Sequence, residues 1–167
     1  MTSPLVIVAL GANLGDPVQQ LRDAVNMLES LADGPVRGSS FWESTPVDCP
    51  PGSPKFVNGI ATFHPQPGET PESLLAKLKS LEAEAGRRPK QVLNEARPLD
   101  LDLIAWGDVQ MATETLVLPH PRAHLREFVL RPLAELLPDL VLPGRRQTVR
   151  ELLAGLVPDP GFARVGS

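Results

Sequence analysis

Leu99-Asp100-Leu101-Asp102-Leu103 alternates leucine with aspartate and runs on into Ile104-Ala105-Trp106. Successive side chains on a strand point to opposite faces, so the leucines enter an apolar layer and the two carboxylates emerge on the other side, their Cα atoms roughly 6.6 Å apart. A strand of this kind needs a sheet, and the other periodic segments must close its apolar face. Leu5 to Leu10 is a continuous apolar run ended by Gly11 and Gly15, which reads as a buried strand. Asp16 then caps a helix with Pro17 at its first position and Val18, Leu21, Val25 and Leu28 on one stripe, reaching about Leu31. Val36 to Ser44 and Phe56 to Phe63 have β-rich composition, and Thr45 to Lys55 between them is full of Pro, Gly and Ser, a length typical of binding or lid loops. A second helix starts near Thr70-Pro71-Glu72, carries Leu74, Leu78, Leu81 and Ala85, and ends at Gly86. The order β-α-β-β-α-β predicts an α+β, ferredoxin-like sandwich: an antiparallel sheet with two helices on one face. Extra C-terminal helices follow near Val129 to Leu137 and after the capping box Thr148-x-x-Glu151. With no internal repeat and no long linker, residues 1–167 are expected to form a single domain.

Twenty acidic against 16 basic side chains give a formal charge of -4, which argues against a nucleic-acid or anionic-membrane surface. No apolar run approaches the ~20 residues of a membrane span. Cys49 is the only cysteine, and Met1-Thr2-Ser3-Pro4 lacks a basic start and an apolar run. A reducing, cytoplasmic location is the expectation.

Asp100 and Asp102 repel unless a cation lies between them, and two hard oxygen ligands suit Mg²⁺ shared with a phosphate chain. The other reading is a solvated polar face of an edge strand. Arg87, Arg88, Lys90 and Arg97 lie on a segment that leads directly into this strand, so phosphate-gripping forks would stand beside the carboxylates. There is no Walker A sequence, Gly-x-Gly-x-x-Gly, His-Glu-x-x-His or Cys-x-x-Cys. Gly11-Ala12-Asn13-Leu14-Gly15 is a glycine-rich turn between strand and helix, which suits a tight structural turn as well as a ligand loop, and it is assigned no direct contact. Aromatic residues make up only 4% of the chain, so Phe56 and Asn58, at i and i+2 on one strand face, stand out as a surface for a flat heterocycle whose edge donates and accepts; core packing is the alternative. Pro119-His120-Pro121-Arg122, with Arg126 and Phe128, is a second candidate that joins imidazole, guanidinium and aromatic groups. His64 and His124 have no motif around them.

Taken together, Leu10-Gly11-Ala12-Asn13-Leu14-Gly15-Asp16, Phe56-Val57-Asn58, Glu82 with Gly86-Arg87, Arg97-Pro98-Leu99-Asp100-Leu101-Asp102-Leu103, Pro119-His120-Pro121-Arg122, Arg126, Phe128-Val129-Leu130 and Pro132-Leu133 resemble the 6-hydroxymethyl-7,8-dihydropterin pyrophosphokinase family over nearly the whole chain. The resemblance implies a diphosphotransferase of folate biosynthesis that moves a pyrophosphoryl group from ATP to the pterin hydroxymethyl and releases AMP. It implies two Mg²⁺ ions on Asp100 and Asp102, and phosphate contacts from Arg87, Arg97 and Arg126. His120 reaches the ATP and Glu82 lies beside the nucleotide. The pterin lies between Phe56 and Phe128, with Asn58 reading its edge and Ser44, Thr45, Pro46 and Val47 supplying backbone contacts. Segments 45–55 and 87–96 match mobile loops of the family. Partners implied are ATP and the pterin, with no nucleic acid, no membrane and no required oligomer. The chain departs from the family pattern at Asn94, where many relatives carry an aromatic, and at Pro89, where a second arginine is usual. No general base is evident. Two other classes share such a fold: a metal-dependent nucleotidyl enzyme, which releases pyrophosphate, and a regulatory module, which has no use for the aspartates and the arginine segment together.

Overall fold

The computed structural model describes residues 3–13, 15–44, 55–86 and 99–165. Among these, the elements in order are β1 (Val6–Ala12), α1 (Pro17–Leu28), β2 (Arg37–Gly38), β3 (Phe41–Ser44), β4 (Phe56–Phe63), α2 (Pro71–Gly86), β5 (Asp100–Trp106), β6 (Met111–Ala112), β7 (Val117–Leu118), α3 (Glu127–Leu136), α4 (Val149–Ala154) and β8 (Ala163–Val165). The main sheet runs β5-β1-β4-β3-β8, with β2 also on β4 and every pairing antiparallel. Its first four strands with α1 and α2 form the ferredoxin-like unit that the element order predicts.

The continuous apolar run of β1 has a direct cause: both faces of the strand are covered. Val6, Val8 and Leu10 pack with Leu21, Ala24 and Leu28 of α1, Leu74 and Leu78 of α2, and Leu101 and Leu103 of β5. Ile7 and Ala9 face the other way, into a second core built with Ile60, Val129, Leu130, Leu133 and Val149. The C-terminal helices therefore close the opposite face of the sheet and make a third layer, rather than decorating a two-layer sandwich. In β5 the pairing shifts from Val8↔Leu103 to Ile7↔Ala105, which leaves Ile104 as a bulge. The bulge lets Leu101 and Leu103 serve the first core while Ile104 and Ala105 serve the second.

The single strand expected over Val36 to Ser44 is broken into β2 and β3. Pairing moves from Gly38↔Ala61 to Trp42↔Asn58, one residue out of step. Ser39 bridges the break: its N–H donates to the Ile60 carbonyl at 2.8 Å and its hydroxyl accepts from the Ile60 N–H at 2.9 Å. Gly59 lies opposite this break, and a Cβ there would stand 2.9 Å from Cδ1 of the buried Phe41 ring. Gly59→Ala is expected to lower stability by about 1–3 kcal/mol through overpacking, read as a drop in the urea midpoint at unchanged slope.

The termini of α1 and α4 follow the sequence signals. Asp16 accepts from the Gln19 N–H with Pro17 at the first helical position, and the Thr148–Glu151 capping box is formed in both directions. Among the described residues no helix is long and apolar enough to cross a membrane.

Candidate active site

One row of cross-strand partners organises the face that looks toward α3. Asp100 pairs with Gly11, Gly11 with Asn58, Asn58 with Trp42 and Trp42 with Arg164. A second row, Asp102 with Ala9 and Ala9 with Ile60, lies beside it. Both aspartates are half-buried, and both share this face with Asn58 because the leucine–aspartate alternation holds from Leu99 to Leu103. At strand spacing, Asp100 and Asn58 stand about 10 Å apart, two strands across. Between them Gly11 has no side chain, and a Cβ there would already lie 3.4 Å from Asn58 Oδ1. The glycine keeps the floor open between the acidic and amide ends, although its turn carried no ligand assignment from sequence. A glycine in the interior of a strand was the available signal.

Glu82 reaches β5 from α2 and accepts the Leu101 N–H at 2.7 Å, satisfying a donor on the edge of that strand away from β1. Burial pushes the Glu82 carboxyl up to about 7; the Leu101 N–H opposes the shift, and a hydrogen bond and charge repulsion from Asp100 add to it. Two carboxylates thus meet at the start of β5, Asp100 from the strand and Glu82 from the helix packed on it. Magnesium takes one or two protein carboxylates with phosphate oxygens and water, so Asp100 and Asp102, on one face and flanked by the small Ala9 and Gly11, fit such an ion.

His120 is fastened next to this strand by its N–H, which donates to the Ile104 carbonyl at 2.8 Å. Its Nδ1 accepts from the Arg122 N–H at 3.2 Å, so a neutral ring carries its proton on Nε2. Burial, then the Arg126 and Arg122 charges, lowers its pKa and favours that neutral form. Arg126 is the residue that opens α3, and its guanidinium carbon lies 5.3 Å from the centre of the Phe128 ring.

The amide end is built by β3 and β4. Asn58 and Ser44 are buried, and Asn58 Nδ2 donates to Ser44 Oγ at 2.8 Å, which leaves Oδ1 on the Gly11 side. Phe56 is the partner of Ser44 on the same face. Ser44 and Phe128 also line a cavity of about 420 Å³ together with Leu125, Glu127, Leu156, Val157, Asp159 and Phe162. Phe56 is not among its lining residues. Phe162, Trp42 and the 156–162 segment were not singled out from sequence: the two rings are 120 residues apart in the chain, and only β8 pairing with β3 brings them together. Of the other residues expected here, Thr45, Pro46, Val47, Arg87 and Arg97, with Arg88, Pro89, Lys90 and Asn94, lie outside the described residues.

Comparison with known proteins gives a consistent pattern. The family described as 7,8-dihydro-6-hydroxymethylpterin-pyrophosphokinase (HPPK) matches residues 7–138. A 2-amino-4-hydroxy-6-hydroxymethyldihydropteridine pyrophosphokinase of Haemophilus influenzae is 39% identical over 147 residues, covering 87% of this chain and 89% of that protein. The protein of the same name from Pseudomonas aeruginosa is 38% identical over 161 residues, 96% of each. A crystal structure of Plasmodium falciparum HPPK-DHPS with pteroate superposes with a TM-score of 0.71 over 92% of this chain at 13% identity. The chain spans 44% of that longer protein, and the likeness is one of fold.

Proposed function

This chain belongs to the 7,8-dihydro-6-hydroxymethylpterin-pyrophosphokinase family, and from that premise we propose how its residues divide the work. The enzyme transfers a pyrophosphoryl group from ATP to the hydroxymethyl of 6-hydroxymethyl-7,8-dihydropterin, a step of folate biosynthesis that leaves AMP and the pterin diphosphate. The observation that carries the assignment of roles is the row Asp100–Gly11–Asn58: a carboxylate suited to a phosphate-bound cation and an amide suited to a heterocycle edge share one face. Their separation of about 10 Å is comparable to the length of a bicyclic ring with its hydroxymethyl arm.

Asp100 and Asp102 hold two Mg²⁺ ions, which when bound neutralise the triphosphate and polarise its oxygens. Arg126, with Arg87 and Arg97, grips phosphate oxygens, and Arg126 is kept in place by the Phe128 ring beneath it. His120 donates from Nε2 toward the ATP, the nitrogen left with the proton once Nδ1 has accepted from Arg122. Glu82 orders the outer edge of β5 through the Leu101 N–H and so sets the direction in which Asp100 leaves the strand. The pterin stacks between Phe56 and Phe128; Asn58 Oδ1 accepts from its edge, and Ser44 orients that amide while Thr45, Pro46 and Val47 add backbone contacts. Because the products are AMP and the pterin diphosphate, the hydroxymethyl oxygen attacks the β-phosphorus as the bond from its bridging oxygen to AMP breaks, the hydroxyl proton being released. The net charge of -4 supports a protein that works without nucleic acid, and we place it in the cytoplasm as one domain that does not require an oligomer.

The test is a separation of nucleotides after incubation with ATP, Mg²⁺ and the hydroxymethyldihydropterin. Equimolar AMP and pterin diphosphate are expected; release of pyrophosphate, or ADP as the nucleotide product, would reject the reading.

A further inference from the structure

Phe162 enters the cavity beside Phe128 from the far end of the chain, and a closed circuit of contacts holds it there. Its ring stacks on Trp42 with centres 5.5 Å apart and planes 24° from parallel. The Arg131 guanidinium caps both rings, 5.9 Å from Trp42 and 5.5 Å from Phe162. Arg131 also grips Glu127, with Nε and Nη2 both donating to Oε2 at 2.9 and 2.7 Å. The second Glu127 oxygen accepts the Asp159 N–H at 2.8 Å. The circuit closes locally: the Phe162 N–H donates to the Asp159 carbonyl at 3.0 Å, and Asp159 Oδ1 accepts from Gly161 at 2.8 Å.

Two links of this circuit, Glu127 and Trp42, abut groups assigned to the pterin. Glu127 directly precedes Phe128 in the first turn of α3. Trp42 is the cross-strand partner of Asn58, two residues before Ser44 on the same face. The indole nitrogen of Trp42 is buried with no hydrogen-bond partner among the described residues, so ring contacts rather than a polar bond orient the indole. Pro132 has no N–H to give the Phe128 carbonyl four residues earlier, so the helix itself secures this turn less firmly than a regular one.

We propose that Phe162 is a positioning residue for the pterin site: through Trp42 on one side and the Arg131–Glu127 pair on the other, it fixes the placement of Asn58 and Phe128. The inference rests on the assignment of Asn58, Ser44 and Phe128 to the pterin. ATP is held from the other end of the row, by the aspartates, His120 and the arginines, so loss of the Phe162 ring acts chiefly on the pterin and reaches ATP only through the Phe128–Arg126 contact.

Titration calorimetry on Phe162→Ala, Phe162→Tyr and Phe128→Ala, with the hydroxymethyldihydropterin and with a non-hydrolysable MgATP analogue as separate probes, tests this. Phe162→Ala is expected to weaken pterin binding about tenfold and MgATP binding by less than about twofold, and Phe162→Tyr, which keeps the stack, to restore pterin binding. Unchanged pterin affinity in Phe162→Ala, with Phe128→Ala impaired, overturns the inference and leaves the site assignment standing. If Phe128→Ala itself binds pterin normally, the site assignment is what fails. Should Phe162→Ala not fold, Glu127→Gln cuts the same circuit at its ion pair: a selective loss of pterin affinity supports the proposal, and equal losses for both probes, or none, count against it.

Discussion

The Asp102→Ala variant is expected to lose about a thousandfold or more in transfer rate while its circular dichroism and melting temperature stay close to those of the parent. The reason lies in how β5 divides its side chains. Leu101 and Leu103 carry the packing energy of the strand in the core shared with α1 and α2, whereas Asp102 stands half-buried on the opposite face beside Ala9. Removing its carboxylate leaves the leucine layer intact, but under the proposed division of roles it removes one of the two charges that would offset a triphosphate and its ions. Several kcal/mol of transition-state stabilisation are at stake, roughly a hundredfold for each 2.7 kcal/mol. Transfer within about tenfold of the parent in a single-turnover assay, or a melted variant, would show that the carboxylate serves the fold rather than the chemistry.

Phe128→Ala carries the second large effect. Stacking of a flat heterocycle on an aromatic ring contributes about 1–3 kcal/mol, so pterin affinity is expected to fall about ten- to a hundredfold. MgATP affinity should fall by no more than about threefold, because the ring touches the nucleotide end only through the Arg126 guanidinium, 5.3 Å from its centre, and a partly exposed cation–π contact contributes about 0.5–1 kcal/mol. Calorimetry with each substrate in turn measures both. A larger loss for MgATP than for pterin would move Phe128 from the pterin wall to a support for Arg126.

Much of the scaffold was readable along the chain. β1 and β5 were legible because burial on two faces and burial on one face write different local patterns, an unbroken apolar run in Leu5 to Leu10 and strict alternation in Leu99 to Leu103, although β1 continues through Gly11 and Ala12, which the sequence assigned to the turn. The helix starts at Asp16-Pro17 and Thr148 were legible because capping is satisfied within a single turn. The break between β2 and β3 was not, since it depends on a serine hydroxyl standing in for a backbone group of another strand, and nothing in the composition of Val36 to Ser44 marks it. The site divided in the same way. Asp100 with Asp102, and Phe56 with Asn58, are short-range pairs whose common face follows from period-two geometry. Gly11 and Phe162 belong to it only through partners tens of residues away.

The sequence alone determined the order of the ferredoxin-like strands and helices and the starts of α1 and α4, that the carboxylates of β5 lie opposite its leucines, and which motifs place the chain among the pterin pyrophosphokinases, since each of these depends on neighbours within a few residues. Tertiary structure alone decided that Gly11 lies between Asp100 and Asn58, that α3 and α4 close the second face, and that a ring near the C-terminus braces the cavity beside Phe128. Register between strands and stacking between distant rings arise from packing of the whole sheet, where a bulge of one residue, as at Ile104, reverses which face a side chain serves.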